Sequence, residues 1–432
     1  MIYSKMYDYE KGSSKEIFMI TKMRGTMDIL PEQIPAFRYI EETARKVAAK
    51  YGFEEIRIPT FEATELFRRG VGQTSDVVQK EMYTFSDLDG RSLTLRPEGT
   101  AGVARAVIEH GKCSDAMPLK LFYLINCFRY EAPQAGRSRE FFQFGTEMFG
   151  AASPAADATV IALAYDVLRE LGIKGIKLHI NSIGCPECRP KYREALISHL
   201  EQKKDGLCDT CKGRLYTNPM RVLDCKSPIC KELSQDAPRV IDYLCPDCQA
   251  HFDSLKKMLD SMNIEYTIDT GIVRGLDYYT RTVFEFICDD IGAQSTVCGG
   301  GRYDGLIKEL GGPSLPGIGF AMGITRLILA MEAQGIVPAA KDKMRLYIAS
   351  LGEAAQTAAV GIVKKLREKG IYCECDLVGR SLKAQMKYAD KIGAEYTLII
   401  GDSELESGKA VLKNMSDSTQ TEIEISELDK YI

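Results

Sequence analysis

The sequence predicts a three-part chain: a large α+β domain, a cysteine-rich helical insertion within it, and a small C-terminal α/β module. Three changes of texture predict this. From Arg24 to about Gly184, helical periods alternate with β-rich runs such as "FEEIRIPTFE" (53–62) and "LKLFYLINCFRYE" (119–131). Residues 185–268 then hold eight of the fourteen cysteines and are mostly helical between them. Beyond residue 344, "RLYIASLG", "IYCECDL" and "YTLIIGD" alternate with helical stretches, the mark of a small α/β domain.

Taken in order, residues 1–23 read as a leader expected to be poorly ordered, with no apolar core of signal-peptide length. The large domain is bounded at 24–338. Its first helix starts near Ile34, "DATVIALAYDVLRELGI" (157–173) carries apolar residues at helical spacing, and "IKLHINS" (176–182) reads as a buried strand. The insertion spans 186–268. The β and glycine-rich texture returns from Tyr266 to about Leu315 and leads into the helix "ITRLILAMEAQ". "GIVPAAKDK" (335–343), with proline and charge, reads as a linker to the module at 344–432.

Composition narrows the function classes. A chain of 432 residues is too long for one ordinary core. Its net charge of −4 argues against wholesale coating of nucleic acid, though a local basic patch remains open. No apolar run approaches membrane-spanning length. Fourteen cysteines without an export signal point to a reducing cytoplasm. There is no GxxxxGKS/T phosphate loop. The four histidines include none beside a GxSxG serine, so a hydrolase triad is not expected.

Four stretches carry chemistry. "RSLTLRPEGTAGVARAV" (91–107) runs from a strand through Pro97 and Gly99 into a helix, presenting Glu98 and Thr100 at the strand end. "CFRYEAPQAGRSREFFQFGTEMFG" (127–150) reads as strand, loop, strand, with Arg129 and Glu131 before the loop, Arg137 and Arg139 in it, and Gln143 and Glu147 after it. Gln143 and Glu147 are four apart and so share one face of a strand. A solvated hairpin with weak surface ion pairs would look similar. "GIGFAMGITRLILAM" (317–331) places Arg326 on an otherwise apolar helix. Three arginine-bearing elements without a phosphate loop suggest a polyphosphate gripped by guanidinium forks on an antiparallel sheet. Lastly, "GIVRGLDYYTRTVFEF" (271–286) sets Arg274, Asp277, Tyr278, Tyr279 and Arg281 at the start of a buried strand, which has no use for them as core.

These stretches resemble class II aminoacyl-tRNA synthetases. FRYE and the glycine-rich strand entering a helix with arginine are similar to that class's motifs 2 and 3, and the helix from about Ile34 with "IRIPTFE" to motif 1. "RGTMDILPEQ" (24–33), "SDVVQKEMYTFSDLDGRSLTLRPEGTAG" (75–102), "RGLDYYTRTVFE" (274–285) and "GGGRYDGL" (299–306) narrow the likeness to the histidyl-tRNA synthetases, from about Arg24 to the C-terminus. The resemblance implies a catalytic domain on an antiparallel sheet and a C-terminal anticodon-binding domain with a mixed sheet. It implies Glu98, Gly99, Thr100 and Gln143 around the substrate's α-amino group, Glu147 and Tyr279 on the imidazole, and Tyr278 lining the pocket. Arg129 and Arg274 would hold the α-phosphate of ATP from opposite sides, Arg326 the γ-phosphate, with Glu131 also at the nucleotide and Mg²⁺ bridging the β- and γ-phosphates.

The partners implied are L-histidine, ATP, tRNA(His) and a second copy of the chain. The tRNA would meet Arg137 and Arg139 at its acceptor end. Its anticodon would meet the C-terminal domain, where Lys383, Lys387 and Lys391 recur every four residues; a solvated helix face gives the same stripe. One relative of the family is a regulatory, non-charging subunit of ATP phosphoribosyltransferase, which typically lacks the anticodon-binding domain and has an eroded RGLDYY stretch. The cysteines depart from the common family pattern. Cys185/Cys188, Cys208/Cys211 and Cys245/Cys248 are CxxC pairs, and Cys225 with Cys230 makes a looser fourth. Two pairs suffice for one structural zinc. The set favoured from sequence is Cys208, Cys211, Cys245 and Cys248; free thiols are the alternative.

Overall fold

The structure, a computed structural model, describes residues 20–72, 75–223, 225, 227–338 and 344–432. Residues 1–19 of the expected leader and 339–343 of the expected linker lie outside the described residues. The chain divides into two compact units, Met1–Val337 and Pro338–Ile432.

The first unit is built on an eight-stranded sheet. Its strands lie in the order Glu54–Glu55, Leu119–Phe128, Glu140–Phe149, Gly317–Gly323, Thr296–Arg302, Thr280–Cys288, Ile176–Ser182 and Tyr266–Ile268. Neighbours are antiparallel except at the two rims, where Glu54–Glu55 and Tyr266–Ile268 each run parallel to the strand beside them. Alternation sorts the side chains onto two faces. One face presents Phe122, Phe144, Phe284, Phe286 and Phe320, packed in one core with residues of the helices Ile34–Lys50, Pro154–Glu170, Pro246–Ser261 and Ile324–Ala333. Each buried ring contributes roughly 1.5–3 kcal/mol, so the apolar face fixes the register. A slip of one residue would turn every ring to the wrong side.

The same register places Gln143, Gly145 and Glu147 on the opposite face, where Tyr123 is paired with Gly145 and Gly319 with Glu147. Glycine is needed here for space. A Cβ on Gly319 would strike the Glu147 carboxylate, and one on Gly299 would stand 2.5 Å from the guanidinium nitrogens of Arg274. A second, three-stranded sheet, with Ser92–Leu95 between Phe61–Ala63 and Thr84–Ser86, delivers residues 96–100 to that face. Arg96 is buried and donates to the carbonyls of Ile58 and Asn126, at 2.7 Å each, which anchors the turn into the helix Thr100–Glu109.

The insertion is helical, with Arg189–Glu201, Asp209–Thr217, Met220–Leu223 and Pro228–Leu233 around a small core of Tyr192, Leu196, Leu200, Leu215 and Val222, and Pro246–Ser261 returning to the main core. The second unit has a five-stranded sheet in the order Cys373–Cys375, Leu346–Ser350, Tyr396–Ile400, Lys409–Asn414, Gln420–Glu424. The first three strands are parallel and the last two join antiparallel, so the sheet is mixed. On its helix Leu382–Lys391, buried Gln385 exchanges hydrogen bonds with the backbone of Ser350 at 2.9 and 3.0 Å. Gln385 and Ala389 face inward, while Lys383, Lys387 and Lys391 form an exposed stripe. Among the described residues no helix is long and apolar enough to cross a membrane.

Candidate active site

The polar face of the large sheet opens into a cleft of about 890 Å³. Glu98, Gly99, Thr100, Arg129, Glu131, Arg137, Gln143, Arg274, Tyr278, Tyr279 and Arg326 all line it. These residues come from four separate stretches of chain, and only the fold brings them together. Arg139 lies outside the lining, with its guanidinium 3.8 Å from the centroid of the Tyr130 ring. Lys383, Lys387 and Lys391 belong to the other unit.

The cationic wall has four members, each held by neighbours. Arg129 donates from Nε to the carbonyl of Pro97 at 2.8 Å and lies over the Phe141 ring. Arg326 spans strand and loop, donating to the carbonyls of Thr296 at 2.6 Å and Gly136 at 3.1 Å. Arg274 pairs with Glu285, not with Asp277, the adjacent carboxylate its sequence position suggests. Arg137 binds Glu131 at 2.9 Å. Such forks present planar donors suited to phosphate oxygens.

Arg274 also has an unusual backbone, with φ of 56°, in the left-handed region that costs non-glycine residues about 1–2 kcal/mol or more. The insertion holds it there. Arg221 donates to the carbonyls of Arg274 at 3.0 Å and Gly275 at 2.9 Å, Arg189 donates to the carbonyl of Tyr279, and Asn218 to Asp277 at 3.2 Å. The tyrosines that follow pack against each other, the Tyr278 and Tyr279 ring centroids 4.6 Å apart and their planes tilted by 52°.

At the anionic end, Glu98 turns back onto the start of the helix Thr100–Glu109, accepting from the N–H groups of Thr100 at 2.7 Å and Ala101 at 2.8 Å. Burial pushes its carboxyl above the ordinary range against those bonds. Glu147 is deeper, 1% exposed, and lies one layer beneath the cleft surface. It accepts hydroxyl donors from Thr100 at 2.7 Å, Tyr123 at 3.0 Å and Tyr303. Burial still pushes its carboxyl up to about 8. Thr100, Tyr123 and Tyr303 themselves line the cleft, so Glu147 acts on it through their hydroxyls.

Sequence reasoning passed over Tyr123, Tyr303, Glu285, Arg189 and Arg221. Tyr123 sits in an apolar run and reads as core. Glu285 had a signal, as the one charge interrupting "TVFEFI". The arginine of GGGRYDG does not reach the cleft: Arg302 is fully buried on Asp157, whose partner on the other side is His251 at 3.3 Å.

The cysteine pairing read from sequence is corrected. Cys245 and Cys248 converge with Cys185 and Cys188, and Cys208 and Cys211 with Cys225 and Cys230. The quartet Cys208, Cys211, Cys245 and Cys248 does not form, because Cys245 begins the helix that packs back on the main core while Cys208 belongs to the insertion's own core.

Comparison with known proteins matches a family model described as histidyl-tRNA synthetase over residues 25–327 and one described as anticodon binding domain over 345–432. A histidine–tRNA ligase of Acetivibrio thermocellus is 53% identical over 405 residues, covering 94% of this chain and 97% of the relative. Another, from Caldanaerobacter subterraneus subsp. tengcongensis, is 52% identical, covering 96% and 100%. Among solved structures, the apo histidyl-tRNA synthetase of S. aureus superposes with a TM-score of 0.81 at 42% identity, covering 96% of this chain and 99% of that one. A Bacillus halodurans protein described as an ATP phosphoribosyltransferase regulatory subunit/histidyl-tRNA synthetase superposes at 0.64 with 25% identity, covering 89% and 99%.

Proposed function

This chain belongs to the histidyl-tRNA synthetase family, and from that premise we propose that it ligates L-histidine to tRNA(His) in two ATP-driven steps. In the first, a carboxylate oxygen of histidine attacks the α-phosphorus of ATP, and the bond to pyrophosphate breaks, leaving histidyl-adenylate. In the second, a ribose hydroxyl of the terminal tRNA adenosine attacks the acyl carbon, and AMP leaves. The observation that carries this reading is one cleft lined both by the arginines Arg129, Arg137, Arg274 and Arg326 and by a tyrosine–carboxylate pocket.

In this reading Arg129 and Arg274 take the α-phosphate from two sides and Arg326 the γ-phosphate. The protein contributes mainly position and charge, which suffices for phosphoryl and acyl transfer. Glu131, an oxygen ligand in the cleft that pairs with Arg137, would hold the Mg²⁺ that accompanies ATP, which would supply charge neutralisation at the phosphates. Glu98, Gly99, Thr100 and Gln143 receive the α-amino group. Tyr279 and the hydroxyls held by Glu147 meet the two imidazole nitrogens, and an apolar amino acid would leave these pocket groups without that partner. Tyr278 closes the pocket wall. Arg137 and Arg139 face the acceptor end of the tRNA, and Lys383, Lys387 and Lys391 its anticodon arm. We place the enzyme in the cytoplasm as a homodimer, as the family resemblance implies. The regulatory-subunit reading is disfavoured by the intact RGLDYY stretch and by the anticodon-binding match at 345–432.

Charging assays with labelled histidine test the division of labour. The full chain should acylate tRNA(His). A fragment ending at Val337 keeps the whole cleft and should still activate histidine, yet lose charging by about tenfold or more, since the contacts of a helix and its lysine stripe are gone. A folded fragment that charges as well as the full chain would remove the C-terminal unit from tRNA recognition.

A further inference from the structure

We propose that the insertion holds two structural zinc ions, one on Cys185, Cys188, Cys245 and Cys248 and one on Cys208, Cys211, Cys225 and Cys230, and that together they fix the two arginines that hold Arg274–Tyr279. Within each quartet the four sulfurs lie within 4.8 Å of one another. The separations are 3.6 Å for Cys185–Cys188, 3.8 Å for Cys185–Cys245 and 3.9 Å for Cys208–Cys225. A tetrahedral site with Zn–S near 2.3 Å sets its sulfurs about 3.8 Å apart. A disulfide needs about 2.05 Å, and an iron–sulfur cluster, with sulfide between metal and metal, would spread the thiolates more widely. Backbone N–H groups already point at the sulfurs: Cys245 to Cys188 at 3.1 Å, Cys208 to Cys230 at 3.3 Å and Ser227 to Cys225 at 3.5 Å. These are bonds that stabilise thiolate. Gly184, with φ of 66°, leaves the room the first knuckle needs, since a Cβ there would meet that of Cys188 at 2.7 Å. On binding, each thiol gives its proton to water and its sulfur lone pair to the metal.

The sites stand where the insertion is weakest. Its own apolar core is small, and modules of that kind are commonly stapled by metal or disulfide. Their placement also bears on the cleft. Arg189 follows Cys188 directly, and Arg221 lies between Cys211 and Cys225. These two side chains hold the carbonyls of Tyr279, Arg274 and Gly275. Each metal thus fixes one end of the brace that keeps Arg274 in its left-handed backbone. This consequence rests on the proposed function; the metal content does not.

Metal analysis of the full chain purified without chelator should find about two zinc ions, released by a mercurial in step with eight thiols. Cys188→Ser and Cys211→Ser should each lower the count to about one. If either variant fails to fold, the release stoichiometry of the wild-type chain decides alone. Fewer than two zinc ions after incubation with zinc, or iron in their place, would overturn the proposal. For the brace, Arg221→Ala should keep both zinc ions and slow histidyl-adenylate formation about tenfold with the KM for histidine and for ATP within about twofold, and Arg221→Lys should restore part of the rate. Retained zinc with an unchanged rate of adenylate formation, or equal loss of both affinities, would overturn the brace while leaving the synthetase reading intact.

Discussion

Arg274→Ala is expected to slow histidyl-adenylate formation by about a hundredfold or more, the scale of one lost donor to a developing charge. If its guanidinium meets the α-phosphate as charge shifts there, the contact strengthens in the transition state and binding changes less than rate. In the proposed mechanism Arg129 and Arg326 would still grip the nucleotide. Arg274→Lys should recover little, since an ammonium cannot form the planar fork that Glu285 orients. Gly299→Ala should reproduce the defect without touching the arginine, because the new methyl group occupies the guanidinium's place. The competing account makes Arg274 a structural partner of Glu285 only. It requires Arg274→Ala to lose melting temperature and both substrate affinities together. A single-turnover rate near wild type, in a variant of unchanged melting temperature, would remove Arg274 from the mechanism.

Glu147→Ala should raise the histidine KM about a hundredfold and leave the ATP KM nearly unchanged, since three buried hydroxyls lose their shared hydrogen-bond partner. Tyr303→Phe, which removes one of the three, should cost less. The carboxyl also predicts a pH signature. Raised to about 8 from an ordinary value of 4.5, it keeps in the folded chain a proton that the unfolded chain releases. Its contribution to stability is therefore complete below about pH 4.5 and is lost as pH rises through about 8. The melting temperature of wild type should fall across that window more steeply than that of Glu147→Gln, which cannot titrate. Parallel slopes for the two would mean that Glu147 is charged throughout.

Much of this was legible in the sequence because its signals are local. FRYE, RPEGT and RGLDYY each put polar groups where a strand or helix has no packing use for them, and Arg129, Glu98 and Arg274 from these stretches line one cleft. In "GIGFAMG", Gly317, Gly319, Ala321 and Gly323 alternate with Ile318, Phe320 and Met322, which the strand turns to the core. What stayed hidden depends on register. That Tyr123 lies over Gly145, or that Gly319 clears space for Glu147, follows only once the strands are paired. Arg221 reaches the segment 274–275 from fifty residues away, and its one-letter context is that of an ordinary surface helix. The cysteine pairs were visible, but their partition was not. Spacing defines a knuckle, whereas the path of the insertion decides which knuckles meet.

Exchange of labelled pyrophosphate into ATP tests the central claim most directly, because it reports formation of the aminoacyl-adenylate without tRNA and without the C-terminal unit. With each amino acid offered singly, the account predicts exchange with histidine and, for the others, rates lower by about four orders of magnitude, the discrimination expected when buried polar groups are left unpaired. Exchange at similar rates with several amino acids, or none with histidine, would contradict it.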